Sequence, residues 1–279
     1  MTEEYRETLE MYESCLREEE RSSGTIEKYM RDIRKFFRFL GGRELTKELV
    51  AEWKAALLQE GYAPVTINSM LAALNGFLRF IGMEDRRVRF LKIQRRMFRD
   101  PARELTREEY VRLVRTAKTR GKKRLALLIE TICATGIRVS EVQYITVEAA
   151  RNGWAEISLK GKIRTILLPE RLCRKLLKYA GAKKITSGEI FLTRSGKQPS
   201  RRQIWFEMKQ ICKSAGVEKG KVFPHNLRHL FAVCFYRASR DIAQLADVLG
   251  HSSIETTRIY LTTAGAEYRH MLTRLKLVF

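Results

Sequence analysis

The C-terminal part of this 279-residue chain combines arginine, histidine and tyrosine residues at short spacings. His225 and Arg228 stand in the segment PHNLRH, His251 stands in LGHSS, and Tyr260 follows nine residues later. Arginine binds phosphate oxygens through a planar fork of donors, and histidine shares protons near neutral pH. Tyrosine can act as a covalent nucleophile. The set therefore points to cleavage of a phosphodiester by a side-chain oxygen.

Each of these residues, taken alone, also fits an ordinary structural role. Arg138, in the earlier segment TGIR, fits a cation at a helix terminus, His225 a helix cap, and Arg228 a surface charge. His251 fits a partner at the C-terminus of a helix, and Tyr260 fits a half-buried core residue. The functional interpretation depends on all five residues occurring together and in this order.

The charge of the chain favours a polyanionic partner. It has 54 Lys and Arg against 32 Asp and Glu, which gives a net charge of +22. An excess of this size is typical of nucleic-acid-binding proteins, although a high net charge can also serve solubility alone. A hydrophobic content of 44% predicts globular domains rather than a disordered basic tail.

Other features of the sequence exclude several classes of protein and site. The longest apolar stretch, residues 125–137, is too short to span a bilayer. The N-terminus alternates acidic and apolar residues, unlike a signal peptide. The five cysteines are odd in number and lack C-x-x-C spacing, so we expect reduced thiols, no zinc site and a cytoplasmic location.

Residues 1–82 are predicted to form a domain of four short helices. Thr25 and Thr46 are predicted to cap the second and third helices, and Pro64 to open the fourth. The second helix also has a basic face opposite its apolar side, formed by Arg31, Arg34, Lys35 and Arg38. Asp32 is the one acid expected within reach of these cations. The face is either simply solvated or a contact surface for the DNA backbone.

A basic linker is predicted over residues 83–103, where the helical periodicity fades. This segment has eight cations against three acids, so it could lie along a phosphate backbone. Arg95 and Arg96 within it are predicted DNA contacts. A capping box of Thr106 and Glu109 then begins the second domain, which is predicted over residues 104–279.

The second domain is predicted to be mainly helical with one β-hairpin. Residues 154–168 have a β-strand pattern on both sides of the K-G-K segment at 160–162, which fits a turn. Ser252 and Glu255 fit a second capping box. A helix beginning there would carry Tyr260 directly after the segment LGH, which would place the tyrosine near the histidine.

The ordered set of motifs resembles the tyrosine recombinase, or phage integrase, family. The matching stretches are TGIRVSE at 135–141, HNLRH at 225–229, LGHS at 249–252, and Tyr260. The sequence of residues 223–260 is most similar to those of integrases of conjugative transposons and related mobile elements. The resemblance implies a helical, SAM-like core-binding domain joined to an α+β catalytic domain, which together make a mainly α fold with a small antiparallel β-sheet.

The resemblance also implies a mechanism. Tyr260 would attack the scissile phosphate and form a 3′-phosphotyrosyl bond, leaving a free 5′-hydroxyl. Arg138 and Arg228 would hold the two non-bridging oxygens. His225 would share the proton of the attacking tyrosine, and His251 would donate a hydrogen bond to the phosphate.

In the same family mechanism, a lysine at the hairpin turn would protonate the departing 5′-oxygen. The K-G pattern of the family implies Lys160, and the shortness of this turn leaves Lys162 as a rival. The mechanism uses neither a metal ion nor ATP, and the sequence contains no G-x-x-x-x-G-K-[ST] loop. No cofactor is therefore expected.

The partner implied by the resemblance is double-stranded DNA with paired core sites, bound by a homotetramer on synapsed DNA. An apolar stripe in the tail predicts a C-terminal exchange helix that docks on a neighbouring protomer. Its members are Tyr268, Leu272, Leu275 and Val278. Packing within its own chain is the alternative for this helix. The chain begins at the core-binding helices, so we expect recognition of core sites without a separate arm-site domain.

Two further functions are alternatives to recombination. Type IB topoisomerases share this set of site residues, but they relax supercoils as monomers, whereas recombinases exchange strands between paired sites. A catalytically silent DNA-binding regulator would also carry the basic surfaces. The complete set of site residues argues against the silent regulator.

Overall fold

The computed structural model describes residues 3–93, 101–159, 162–261 and 273–274. The chain divides into two compact units, Met1–Arg95 and Arg96–Phe279. None of the helices in the described part is both long and apolar enough to cross a membrane.

The first unit contains four α-helices, which confirms the predicted helical fold of this region. They are α1 (Glu3–Glu18), α2 (Ser23–Leu40), α3 (Lys47–Gln59) and α4 (Pro64–Phe80). Thr46 caps α3 by accepting a hydrogen bond from the Leu49 amide at 3.2 Å, and Pro64 is the first residue of α4. The predicted cap at Thr25 is wrong, because the N-cap residue of α2 is Ser22, three residues earlier, in an extended conformation. The Thr25 hydroxyl instead lies 2.8 Å from the Ser22 hydroxyl.

Aromatic side chains form the centre of the first unit. The ring centroids of Phe36 and Trp53 are 5.1 Å apart, so α2 packs directly on α3. Gly76 allows α1 to approach α4 closely, since a Cβ atom at this position would lie 2.6 Å from the Tyr12 hydroxyl. The edge-on contact between the Phe36 and Trp53 rings adds to the free energy gained from burial.

Two asparagines of α4 fix the chain that follows the helix. Asn75 exchanges hydrogen bonds with the backbone of Val88 at 3.0 and 3.4 Å. Asn68 does the same with Leu91 at 2.9 and 2.7 Å. The first part of the predicted linker therefore packs on the helices, while residues 94–100 lie outside the described residues.

The second unit is mainly helical with a two-stranded antiparallel sheet, which confirms the predicted fold class. Its helices and strands are α5 (Arg107–Thr119), α6 (Lys123–Thr135), α7 (Val147–Asn152), β1 (Trp154–Leu159), β2 (Lys162–Leu167), α8 (Glu170–Ala182), α9 (Arg201–Ala215), α10 (Pro224–Ser239), α11 (Ile242–Leu249) and α12 (Ile254–Arg258). Short 3₁₀ turns lie at Val139–Tyr144 and Ile259–Leu261, among other places. The pairing of β1 with β2 runs from Trp154↔Leu167 to Leu159↔Lys162.

Local signals placed one of the two predicted capping boxes correctly. Thr106 and Glu109 form the box at the start of α5, with hydrogen bonds of 3.2 and 2.8 Å. The box predicted at Ser252 is wrong, because the extended N-cap residue of α12 is Ser253, whose hydroxyl accepts from the Glu255 amide at 3.2 Å. The helix also ends before the tyrosine, which lies in the following 3₁₀ turn.

Helix α6 positions the first part of the site from the centre of the core. Its residues Leu125, Leu128, Ile129 and Ile132 are buried, and Gly136 ends the helix with a left-handed φ of 66°. A Cβ atom at Gly136 would collide with the ring of Phe231 on α10. Glycine is therefore needed here both for the backbone conformation and for the close contact between α6 and α10.

Candidate active site

The described structure brings Arg138 and the four predicted residues of the C-terminal motifs into one cluster. Arg138 follows α6, His225 and Arg228 lie in the first two turns of α10, and His251 and Tyr260 flank α12. The ring centroids of His225 and His251 lie 5.8 and 5.7 Å from that of Tyr260. The guanidinium of Arg228 lies 2.9 Å from the imidazole of His251.

Arg228 is the buried cation at the centre of the site, with 2% of its surface exposed. It donates to the main-chain oxygens of Gly136 at 2.5 Å and Leu249 at 2.8 Å. These oxygens belong to the C-terminal ends of α6 and α11, where unpaired carbonyls carry partial negative charge. Burial lowers the pKa of Arg228, and Arg138 lowers it further, while a hydrogen bond with Tyr260 raises it. The group stays charged at neutral pH because arginine begins from so high a pKa.

Arg138 is held in place by a buried carboxylate. Glu141 accepts hydrogen bonds from the Arg138 backbone amide at 2.7 Å and from its guanidinium at 2.9 Å. Arg164 on β2 donates to the same carboxylate at 2.5 Å and to the Val248 carbonyl at 3.0 Å. The Arg138 side chain is 43% exposed, so part of its donor surface is open to a ligand.

The charge of Glu141 is stabilised by these partners. Burial alone would raise the pKa of the Glu141 carboxyl, but the Arg138 amide and the guanidinium groups of Arg164 and Arg138 hold it below its usual range. Neither Glu141 nor Arg164 was predicted to have a role in the site. The spacing of Glu141, three residues after the N-cap residue Arg138, was a usable local signal. Arg164 is 23 residues from Glu141 and had none.

His251 is a neutral imidazole with a defined hydrogen-bond pattern. Burial, the largest cause, and the nearby Arg228, Arg138, Arg164 and His225 together lower its pKa to about 4. A guanidinium can only donate, so His251 Nε2 accepts from Arg228. The ring proton therefore lies on Nδ1, which is 2.8 Å from the hydroxyl of the buried Thr257.

Tyr260 is packed among imidazole rings and is 5% exposed. The His251 ring stacks on the Tyr260 ring with an interplanar angle of 12°. The Tyr260 side chain also joins a small apolar cluster with Leu245 and Leu249 of α11. A third imidazole, His229, has its ring centroid 5.5 Å from that of Tyr260 and was not assigned a role from the sequence. Its position four residues after His225 on one helix was the available signal.

Only one of the two candidate lysines of the hairpin belongs to the described residues. Lys160 lies outside the described residues. Lys162 is the first residue of β2, and its backbone pairs with Leu159.

The basic face of α2 differs in part from the prediction. Lys35 donates to Glu60 at 2.8 Å and to the Tyr62 hydroxyl at 2.9 Å, so the expectation that Asp32 is the only acid within reach is wrong. Glu60 comes from the end of α3, which folds beside α2. Arg31, which pairs with Asp32, lies with Arg34, Phe37 and Arg38 along an open groove. Arg95 and Arg96 lie outside the described residues.

Family comparisons agree with both units. Residues 103–267 match the phage integrase family, and residues 9–84 match the phage integrase N-terminal SAM-like domain. The tyrosine recombinase XerA of Thermococcus kodakarensis is 29% identical over 98% of this chain and 96% of its own length. The tyrosine recombinase XerC of Roseiflexus castenholzii is 30% identical over 86% of this chain and 83% of its own length.

Solved structures show the same fold in other recombinases. A lambda integrase tetramer bound to a Holliday junction has a TM-score of 0.74 at 19% identity, covering 92% of this chain and 76% of that one. The Tn1549 transposon integrase in complex with transposon right-end DNA has a TM-score of 0.68 at 17% identity, covering 96% and 99%. At these identities the likeness concerns the fold alone. The higher identities belong to Xer recombinases, and not specifically to transposon integrases.

Proposed function

Because this chain belongs to the phage integrase family, we propose that Tyr260 is the nucleophile with which this tyrosine site-specific recombinase cuts and rejoins DNA. The observation that carries the proposal is the contact of the Tyr260 ring with His225 and His251, beside a buried arginine. In this proposal, the nucleophile, the proton acceptors and the phosphate-binding cation come from one cluster of side chains.

The proposed reaction conserves the energy of the phosphodiester bond. The Tyr260 oxygen attacks phosphorus and loses its proton to His225, and a 3′-phosphotyrosyl bond forms as the bond to the 5′-oxygen breaks. The departing 5′-oxygen takes up a proton and leaves as a hydroxyl. Attack by a 5′-hydroxyl of another strand reverses these steps and rejoins the DNA.

Phosphate binding is assigned to Arg138 and Arg228. The proposal is supported by the fixed position of both groups, since Glu141 orients the first and two main-chain oxygens orient the second. Donors that are already oriented stabilise the charge that develops on phosphate oxygens without a cost of reorganisation. Lys160 is assigned as the general acid from the family pattern, with Lys162 as its rival.

The substrate is proposed to be a pair of core sites in duplex DNA, held by four copies of this chain. The net charge of +22 and the exposed arginines of α2 support a DNA partner. The tetrameric assembly is supported by the shared fold with lambda integrase, which forms a tetramer on a Holliday junction. Similarity to XerA and XerC favours recombination of the Xer type over the narrower role of a transposon integrase. Five free cysteines support a cytoplasmic location.

A suicide substrate tests the proposed nucleophile. DNA from the region that flanks the coding gene supplies candidate paired half-sites, and a nick beside the scissile phosphate prevents religation. With chelator present and no ATP, the unmodified protein is expected to form a denaturation-resistant covalent complex. Tyr260→Phe should bind this DNA with similar affinity and trap none, because only the nucleophilic oxygen is removed.

Tyr236→Phe is the matched control for this experiment, because Tyr236 packs against the same apolar cluster as Tyr260. This variant should trap DNA like the unmodified protein. A covalent adduct that survives in Tyr260→Phe, or one that peptide mass assigns to another tyrosine, would overturn the assignment.

A further inference from the structure

The two nitrogens of His251 have partners of different kinds. Nε2 lies 2.9 Å from the Arg228 guanidinium, and Nδ1 lies 2.8 Å from the Thr257 hydroxyl. In this arrangement Nε2 accepts from the guanidinium and Nδ1 donates to the hydroxyl. The role proposed for His251 requires the reverse, because a hydrogen bond to a phosphate oxygen needs a proton on Nε2.

We propose that Thr257 is a positioning residue that lets His251 exchange its donor and acceptor edges when a phosphate enters the site. This inference rests on the function proposed above. A hydroxyl both donates and accepts, so Thr257 Oγ1 can accept from Nδ1–H without DNA and donate to the Nδ1 lone pair with DNA. A backbone carbonyl in the same place could only accept, and would hold the proton on Nδ1.

The proton count of the exchange balances. Without DNA, the imidazole carries one proton on Nδ1, and the Nε2 lone pair accepts from Arg228. With DNA, the phosphate accepts from Arg228 in place of Nε2, while the bonds to Gly136 and Leu249 keep the guanidinium in position. Nδ1 then releases its proton to water, and Nε2 takes one proton from water. The imidazole is neutral before and after, and the Thr257 hydroxyl keeps its own proton while it rotates.

The surroundings of His251 disfavour the alternative of a doubly protonated ring. Burial and the nearby Arg228, Arg138 and Arg164 hold its pKa near 4. A bound phosphodiester adds one negative charge against these three cations. A neutral ring that changes tautomer therefore meets the requirement better than an imidazolium.

The position of Thr257 suits this task. The side chain is fully buried in α12, while its neighbour Thr256 is exposed. Stacking on Tyr260 fixes the plane of the His251 ring, and the contact with Thr257 fixes its rotation within that plane. Removing the hydroxyl would leave Nδ1–H buried without an acceptor, and would remove the donor needed in the DNA-bound state.

Nitrogen NMR of the His251 ring tests the exchange directly. Protein labelled with ¹⁵N-histidine is measured without DNA, and Tyr260→Phe protein is measured both without DNA and bound to half-site duplex. We expect the Nδ1–H tautomer without DNA and the Nε2–H tautomer in the complex. The same tautomer in both states, or an imidazolium in the complex, would overturn the proposal.

Three variants test the consequence for cleavage. At saturating suicide substrate, Thr257→Val should cleave about 10-fold more slowly with unchanged DNA affinity, since one buried hydrogen bond is lost. Thr257→Ser, which restores the hydroxyl, should lie within about 3-fold of the unmodified rate, and Thr256→Val should match it.

Each outcome of the cleavage experiment decides a separate point. A normal rate in Thr257→Val, or a slow rate in Thr257→Ser as well, would mean that Thr257 serves packing alone and would sink the proposal. If the unmodified protein traps no DNA, the proposed function fails. The NMR comparison still tests the tautomer exchange of His251 in that case, because it needs only DNA binding, and the same comparison in Thr257→Val tests whether the exchange depends on the Thr257 hydroxyl.

Discussion

The neutral imidazole of His251 makes the stability of the DNA-free protein depend on pH. Its pKa is lowered from 6.5 to about 4 in the fold, chiefly by burial. Between these values the unfolded chain binds a proton that the folded chain does not. Stability is therefore fully present above pH 6.5 and decreases as the pH falls toward 4.

Thermal unfolding of His251→Gln checks this pH dependence. The unmodified protein should lose melting temperature between pH 6.5 and about 4 more steeply than the variant, which has no ring to protonate. The two proteins must be compared because Glu141 also makes stability sensitive to acid. The pKa of its carboxyl is lowered in the fold, so the charged carboxylate stabilises the fold at neutral pH, and this contribution is lost in acid. Parallel curves for the two proteins would contradict the assignment of a neutral His251.

The residues of the site show which contacts are visible in a sequence. His225 and Arg228 are three residues apart in the sequence, so their proximity on α10 follows from helical spacing. The contact between Thr257 and His251 was not predicted, since its geometry depends on the turn between α11 and α12. The position of a threonine in the sequence does not show which distant polar group its hydroxyl will contact.

At the scale of elements, helix α2 carries one cation that is paired with an acid beside others that are exposed. The Lys35 ammonium is occupied by Glu60 and lies 4.2 Å above the Tyr62 ring, whereas Arg34 is exposed. We expect Arg34→Ala to flatten the log–log salt dependence of half-site binding by about one unit, the share of one phosphate contact. Lys35→Ala should leave the slope nearly unchanged.

Anisotropy titrations at several salt concentrations measure both slopes. Arg34 and Lys35 are adjacent on one helix, so the second variant controls for a general loss of charge. If Lys35→Ala flattens the slope as much as Arg34→Ala, the lysine leaves Glu60 when DNA binds. If neither variant changes it, this face of α2 does not contact DNA.

The hairpin between β1 and β2 carries the prediction for the general acid. Lys160→Ala should block cleavage of ordinary DNA, because the departing 5′-oxygen then lacks a proton donor. Cleavage should return when that oxygen is replaced by sulfur, which leaves without protonation. Lys162→Ala is the matched control and should cleave both substrates. A rescue that follows Lys162 instead would move the assignment to the first residue of β2.

Element boundaries were predicted best where the signal is local. Thr46, Pro64 and Thr106 each mark a helix start through contacts within about one turn. The wrong caps at Thr25 and Ser252 arose where neighbouring hydroxyl residues compete for the same position. The sequence contains the candidates in both cases, but the choice between them depends on where the preceding chain leaves the backbone extended.

Side-chain contacts between elements far apart in the chain were not accessible from the sequence. Lys35 and Glu60 are 25 residues apart, and their pairing follows from the packing of α3 beside α2. Arg164 reaches Glu141 because the hairpin folds against the turn after α6. Periodicity identifies which face of a helix is buried, but it does not specify which neighbour will cover it.

At the scale of the whole molecule, we predict that the tail lets copies of this chain cooperate on DNA. The predicted exchange helix lies mostly outside the described residues, and it rests on the apolar stripe of the sequence. Truncation after Ala264 should spare binding to a half-site but reduce cooperative occupation of a full site, because the docking segment is lost. Gel-shift titration of both proteins measures this, and equal cooperativity would favour packing of the tail within its own chain.

Arg228 also constrains how this protein can change over evolutionary time. Its guanidinium donates to the main-chain oxygens of Gly136 and Leu249. Loss of Arg228 would therefore leave two buried acceptors without this donor. A descendant that kept DNA binding and gave up cleavage would be expected to lose Arg138 or the Tyr260 hydroxyl first, and to retain Arg228 for folding alone. Inactive descendants would therefore be recognised by their residues at positions 138 and 260, while an arginine at 228 would persist in active and inactive lineages alike.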